Sequence, residues 1–124
     1  MLFVDRLLER EEELAVAEAV VQPSCIALHN GVCLPEYCIE LIAQTSALAN
    51  GFDQFVEDKP PRNGMLVGID SCSVFRAAGE GSVLRIEIQK IFAFGAVSRI
   101  QGTVSEGDEI VAVATIKVWE DDTR

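Results

Sequence analysis

The chain has 124 residues, 49% of them hydrophobic, and a formal net charge of −10. That length fits one domain with a sizeable core, and the apolar share excludes a disordered chain. The charge argues against non-specific nucleic-acid binding, which needs clustered cations to neutralise phosphates, and against anionic membrane surfaces.

The chain opens with Met1-Leu2-Phe3-Val4-Asp5-Arg6 and meets the acidic stretch Glu9 to Glu13 at once. This lacks the basic, apolar, small-residue order of a signal peptide, and no apolar run reaches membrane-spanning length. The expectation is a soluble, cytoplasmic protein, with Glu9 to Glu13 as a solvated turn. Leu14 to Val21 fits helix or strand on local pattern; the valines and Pro23 just beyond favour a strand. Gln22 to Leu34 contains Pro23, Asn30 and Gly31 and reads as a loop. A helix then starts at Pro35, a residue suited to the first helical position, and stops near Asn50-Gly51. Such a helix spans roughly 24 Å.

Glu57 to Asn63, with Pro60-Pro61, is a second loop. Beyond it Met65 to Phe75, Val83 to Phe94, Ala96 to Val104 and Glu109 to Trp119 each alternate as strands do. Gly79-Glu80-Gly81, Gly95 and Gly107-Asp108 separate them as short turns. In the last strand Ile110, Ala112, Ala114, Ile116 and Val118 form the cleaner apolar stripe and are expected to face the core. Short turns between long strands imply an antiparallel meander. A meander after one long buried helix requires the sheet to curl around that helix, an α+β fold in a single domain over residues 1–124.

Two residues stand out chemically. Between Tyr37 and Ala49 the polar residues are Glu40, Gln44, Thr45 and Ser46, so the helix is apolar nearly all round and expected to be buried. A carboxylate in such a place is paired or has a chemical task. His29, the single histidine, lies a short way upstream. An acid and an imidazole near one helix start are the parts of proton-transfer chemistry. Cys25, Cys33, Cys38 and Cys72 form no C-x-x-C pair, so reduced thiols, mostly buried, are expected rather than a zinc site, and no cofactor is called for. Gly79-Glu80-Gly81 has no G-K-[ST] after it and is a hairpin turn, not a phosphate loop.

Three segments together resemble the hotdog-fold 3-hydroxyacyl-thioester dehydratases, nearest the dehydratase-like proteins of fatty-acid and aryl-polyene synthesis. Met1-Leu2-Phe3-Val4-Asp5-Arg6-Leu7-Leu8-Glu9 is similar to the family's opening strand. Leu34-Pro35 through Ile39-Glu40-Leu41-Ile42-Ala43-Gln44 is similar to its "L/M-P … I-E-x-M-A-Q" helix. Gly64-Met65-Leu66-Val67-Gly68-Ile69-Asp70 is similar to the strand leading to its substrate channel. The loop Ser24 to Gly31 differs from the F-P-G-H-F-P loop of the fatty-acid members, and Glu36 follows Pro35 where they carry glycine.

The resemblance implies a long helix wrapped by an antiparallel sheet, a homodimer or an assembly of dimers, and active sites at the dimer interface. It implies an acyl-thioester substrate on a carrier protein or coenzyme A. Glu40 takes the place of the family acid, Gln44 of the glutamine one turn on, and His29 of the histidine. Dehydration needs a base for the proton next to the carbonyl, donors for the carbonyl oxygen and an acid for the leaving hydroxyl. His29 suits the first. Backbone N–H groups from Val32 to Glu36, Pro35 aside, suit the second, and Gly31, Cys33, Leu34, Glu36 and Gln44 are expected beside the thioester. Glu40 suits the third, since burial favours the protonated carboxyl, and Gln44 on the same helical face would hold it. Val67 and Gly68 would lie along the channel. Docking of an acidic carrier protein would fall to Lys59, Arg62, Arg76 and Arg99. A thioesterase using Glu40 without His29 is a second reading. A non-catalytic hotdog subunit binding a partner or acyl chain is a third.

Overall fold

The structure, a computed structural model, describes residues 3–26, 28–58 and 63–121. Its elements run β1 (Arg6–Glu11), β2 (Leu14–Val20), β3 (Leu28–His29), β4 (Val32–Cys33), α1 (Glu36–Val56), β5 (Asn63–Val74), β6 (Val83–Phe94), β7 (Val97–Glu106) and β8 (Glu109–Asp121). Six strands form one sheet in the order β1-β2-β6-β7-β8-β5, antiparallel at every pairing. The helix touches all six. This is the expected α+β arrangement, a long helix laid along a curled antiparallel sheet. The ambiguous segment Leu14–Val20 is the strand β2, paired on one side with β1 and on the other with β6.

The helix is longer than the sequence suggests. Asn50-Gly51 does not end it; α1 continues to Val56, about 31 Å in all. Gly51 stays in helical conformation, and the left-handed residue that ends the run is Asp58, at φ 56°. Tertiary contacts overrule the local stop signal. Asp53 accepts two bonds from Arg10 Nε, at 3.0 and 3.2 Å, and one from its Nη2 at 2.6 Å, and Gln54 is buried. The last turns are thereby pinned to β1.

Nor is the helix buried all round. Leu41, Ile42, Thr45 and Ala49 lie against the sheet with at most 2% exposure. Glu40 and Ala47 face solvent. The β8 stripe holds for Ala112, Ala114, Ile116 and Val118 but not for Ile110, which is half exposed. An irregularity in the pairing of β7 with β8, between Val104 and Ser105, shifts the alternation, and Val111 turns inward instead.

The helix meets the sheet most closely over β7. A Cβ on Gly102 would stand 2.6 to 2.7 Å from Cγ1, Cδ1 and Cγ2 of Ile42, which is fully buried. A β-branched side chain on a helix has little freedom to move aside. Gly102→Ala is expected to lower stability by about 1–3 kcal/mol through overpacking, read from urea unfolding. In an Ile42→Ala background the same change should do far less harm. Additive losses would show that the contact is not the reason for the glycine.

At the helix start Tyr37 and Cys38 are buried, and Phe3 meets Tyr37 edge-on at 4.9 Å. Burial, with smaller contributions from Cys33 and Cys72, pushes the Cys38 thiol from 9.0 up to about 11. Burial also raises the Tyr37 phenol, helped by Cys25, Cys33, Asp5 and Cys38. Above pH 9 the unfolded chain gives up the Cys38 proton while the folded chain keeps it until about 11. Stability is therefore expected to fall as pH rises through that window, since the native state there binds more protons. Unfolding midpoints measured at intervals across it should show the fall, and Cys38→Ala should flatten it. Equal slopes for both proteins would remove Cys38 as the cause.

Candidate functional site

Glu40, Ala43, Gln44 and Ala47 follow one another at i, i+3, i+4 and i+7, so they share one side of α1. The side chain that holds α1 to the sheet is Ile42. At about 100° per residue Glu40 points nearly opposite to it, which is why Glu40 is exposed rather than buried as expected. Beside Glu40 lies a groove of about 260 Å³, lined from α1 by Glu40, Ala43, Gln44, Ser46, Ala47 and Asn50 and from the sheet by Leu66 and Val118.

Gln44 does what the sequence suggests. Its Nε2 donates to Glu40 Oε1 at 3.0 Å. Its Oε1 accepts from the backbone N–H of Phe3 at 2.7 Å and of Val4 at 3.2 Å. The groove thus holds one carboxylate, oriented by an amide, with Ser46 and Asn50 as further polar lining and Ala43, Ala47, Leu66 and Val118 as its apolar part. Chemically, an apolar strip beside a carboxyl group suits a ligand with an apolar part and a group that exchanges a proton.

His29 lies elsewhere. It is exposed on β3, opposite Val32 across a two-residue turn, Asn30 at φ 54° and Gly31 at φ 81°. Both turn residues are left-handed, the geometry that asparagine and glycine adopt most readily. The hairpin is fastened to the body by Cys33 N–H to Ala78 O at 2.7 Å and by Glu80 N–H to Gly31 O at 3.4 Å. Gly31 is thus a turn residue. Among the described residues no hydrogen bond or ion pair joins His29 to Glu40.

The helix start offers fewer donors than expected. Cys33 N–H is taken by Ala78, Tyr37 N–H by Leu34 O and Cys38 N–H by Pro35 O. Val32 belongs to the β3–β4 pair. Leu34, 45% exposed, and Glu36, exposed at the first turn, keep N–H groups with no backbone acceptor among the described residues. Cys33 is buried, and burial, with Cys25 nearby, raises its thiol. All four cysteines are free; Cys33 and Cys38 are buried, Cys25 is half-buried and Cys72 exposed.

Val67 and Gly68 do not line the groove. Val67 sits at an irregularity between Leu66 and Gly68, and Gly68 pairs with Lys117, on the sheet face away from the helix. The inserted residue turns the alternation over, leaving Leu66 as the lining residue from this strand. Of the cations, Arg76 is held by Glu106 at 2.9 Å and Glu109 at 2.6 Å, and Arg99 by Asp70 at 2.8 Å beside Lys117. Lys59 and Arg62 lie outside the described residues. Ala43, Ala47 and Asn50 were legible as the Glu40 face of the helix from their spacing alone. Leu66 and Val118 were not, because they depend on strand register.

No curated protein matches the chain in sequence. Solved structures match over nearly its whole length. The dehydratase heterocomplex ApeI:P from Xenorhabdus doucetiae aligns with a TM-score of 0.88 at 16% identity, over 98% of this chain and 84% of that one. A hypothetical thioesterase with coenzyme A from Streptococcus pneumoniae gives 0.76 at 16% identity, over 96% and 90%. Cj0977, a sigma28-regulated virulence protein of Campylobacter jejuni, gives 0.75 at 12% identity, over 96% and 85%. At such identities these likenesses establish the hotdog fold and nothing finer. A family profile described as ApeP dehydratase matches residues 1–124, and the chain belongs to that ApeP-like dehydratase family.

Proposed function

We propose that this chain is a cytoplasmic, single-domain dehydratase acting on 3-hydroxyacyl thioesters, and a hydratase of 2-enoyl thioesters in reverse. The thioester is carried by a carrier protein or coenzyme A, in fatty-acid or polyene-type synthesis. The observation that carries the reading is Glu40, tied to Gln44 and set in a groove with an apolar side, in a chain of a dehydratase family. In this reading His29 removes the proton on the carbon beside the thioester carbonyl. The electron pair moves toward the carbonyl oxygen, stabilised by N–H groups at the helix start, those of Leu34 and Glu36 being available. As that pair returns to form the carbon–carbon double bond and the C–O bond breaks, Glu40 gives its proton to the leaving hydroxyl, which departs as water.

Within one chain the groove is open to solvent, and no described contact brings His29 to Glu40. A dimer that pairs the hairpin of one chain with the helix of another would supply both defects. The sheet edges support such a dimer. The β1 edge carries Arg6, Glu9, Arg10 and Glu11, charges that discourage strand pairing. The β5 edge exposes Met65, Val67 and Ile69, each at least half exposed. Light scattering is expected to return a dimer at micromolar concentration, and Val67→Lys or Ile69→Lys to weaken it. A monomer of 13.5 kDa would overturn the shared-site reading.

The solved heterocomplex ApeI:P favours a second reading, in which the partner is a different hotdog chain and this one completes its site. The thioester assay separates the possibilities. A dehydratase adds water to a 2-enoyl thioester, removing its ultraviolet absorbance without releasing thiol. A thioesterase releases thiol, and a chain that acts only beside a partner does neither alone. Glu40→Gln is expected to keep the fold and abolish turnover. His29→Ala is expected to cost on the order of a hundredfold, the scale of one general acid–base group. Full turnover in a folded Glu40→Gln protein would rule out the acid, and full hydration by His29→Ala would remove the histidine from the reaction.

A further inference from the structure

We infer that the backbone of Phe3 and Val4 is the positioning element for Glu40, acting through the Gln44 side chain. The inference rests on the reading of Glu40 as the acid. An exposed glutamate side chain is free to rotate, and a general acid must be held where the proton goes. Gln44 supplies the hold, but an amide can present either its oxygen or its NH2 to a neighbour. Here the choice is settled from behind. The N–H groups of Phe3 and Val4 both point at Oε1, at 2.7 and 3.2 Å. A turned amide would set its NH2 against two further donors, so the NH2 must face Glu40, which it reaches at 3.0 Å.

The two donors are themselves fixed. Val4 is buried in the core. The next residue, Asp5, donates its N–H to Glu18 O at 2.9 Å and accepts Val20 N–H on Oδ2 at 2.6 Å, which ties the segment to β2. The Phe3 ring meets Tyr37 at 4.9 Å, one turn before Glu40 on the same helix. The rigid line runs from β2 through Phe3 and Val4 to the Gln44 amide and ends on the carboxylate. None of these residues except Glu40 needs to touch the substrate; Phe3, Val4 and Gln44 are positioning residues.

Three variants test this. Phe3→Pro removes the shorter donor, Phe3→Ala keeps the donor and removes the ring, and Gln44→Met keeps the side-chain length and removes the amide's hydrogen bonds to Phe3, Val4 and Glu40. In the assembled enzyme, kcat for hydration of a 2-enoyl thioester is expected to fall roughly tenfold in Phe3→Pro with KM within about twofold. Phe3→Ala, which keeps the donor and loses only the ring contact with Tyr37, should lose clearly less. The Phe3→Pro loss should vanish in a Gln44→Met background, because a double-mutant cycle exposes a shared route. Crystal structures of Phe3→Pro and Gln44→Met should show the Glu40 carboxylate displaced or disordered. Equal losses in Phe3→Pro and Phe3→Ala, additive losses in the double variant, or an unmoved Glu40 would each overturn the inference. If Phe3→Pro does not fold, Gln44→Met alone decides it. If Glu40→Gln retains turnover, the acid reading fails, and the position of Glu40 in the crystals still judges the clamp.

Discussion

The contact between Ile42 and Gly102 decides how the rest of the molecule is arranged. A glycine on the inward face of β7 lets the helix settle onto the sheet where any side chain would hold it off. Once Ile42 points into that depression, the rotation of α1 is fixed, because Leu41, Thr45 and Ala49 must also pack inward. The helical repeat then leaves no choice for the other side. Glu40 and Gln44 stand nearly opposite Ile42, and Ala43 and Ala47 open sideways toward Leu66 and Val118. The groove follows from the packing that stabilises the core. A larger residue at 102 would rotate or lift the helix, and the carboxylate would move with it.

The same arrangement explains why so apolar a helix is only partly covered by its own sheet. β5 is joined to the sheet through β8 alone and meets the helix sparingly. Its inward-facing Leu66, Ile69, Cys72 and Val74 therefore remain exposed in a single chain. Alternation along β5 is broken twice, between Leu66 and Gly68 and between Ile69 and Ser71. Such irregularities increase twist and bend a strand, which carries this end of the sheet away from the helix axis. An edge left apolar, beside a groove left open, is what a second subunit would cover. The opposite edge, with its alternating charges, has no such need.

Much of this was legible in the residues. The glycine turns delimit β6, β7 and β8 to within a residue or two, because short antiparallel connections have strong local signals. The Glu40–Gln44 bond was legible from spacing alone, since residues four apart on a helix are neighbours. What was not legible depends on contacts between distant segments. Arg10 and Gln54 carry α1 past Gly51, and nothing near Gly51 announces it. Strand irregularities turned Gly68 outward and brought Leu66 and Val111 inward, because one extra residue inverts every side chain beyond it. The β3–β4 hairpin had a local signal, Asn30-Gly31, but strands of two residues are too short to show alternation.

The two chemical groups differ in how firmly the fold holds them, and this bears on what each could do. Glu40 is carried by α1, tied through Gln44 to the N-terminal segment and through it to β2. His29 is exposed on a small hairpin that is held by backbone bonds at Cys33 and Gly31, by burial of Cys33 and by Leu28 packed against the core. On the proposed reading of Glu40 as acid and His29 as base, the two would work together only if something brought the hairpin of one chain to the helix of another. A second hotdog chain laid against the β5 edge would do so, and would remove water from the groove in the same step. Exclusion of water strengthens the hydrogen bond that Gln44 gives the carboxylate and any bond the thioester carbonyl accepts from the helix start. Assembly and catalysis would then be one event. On that proposal the exposure of Glu40 in the single chain would belong to a half-site, with the carboxylate oriented by Gln44 before its covering arrives.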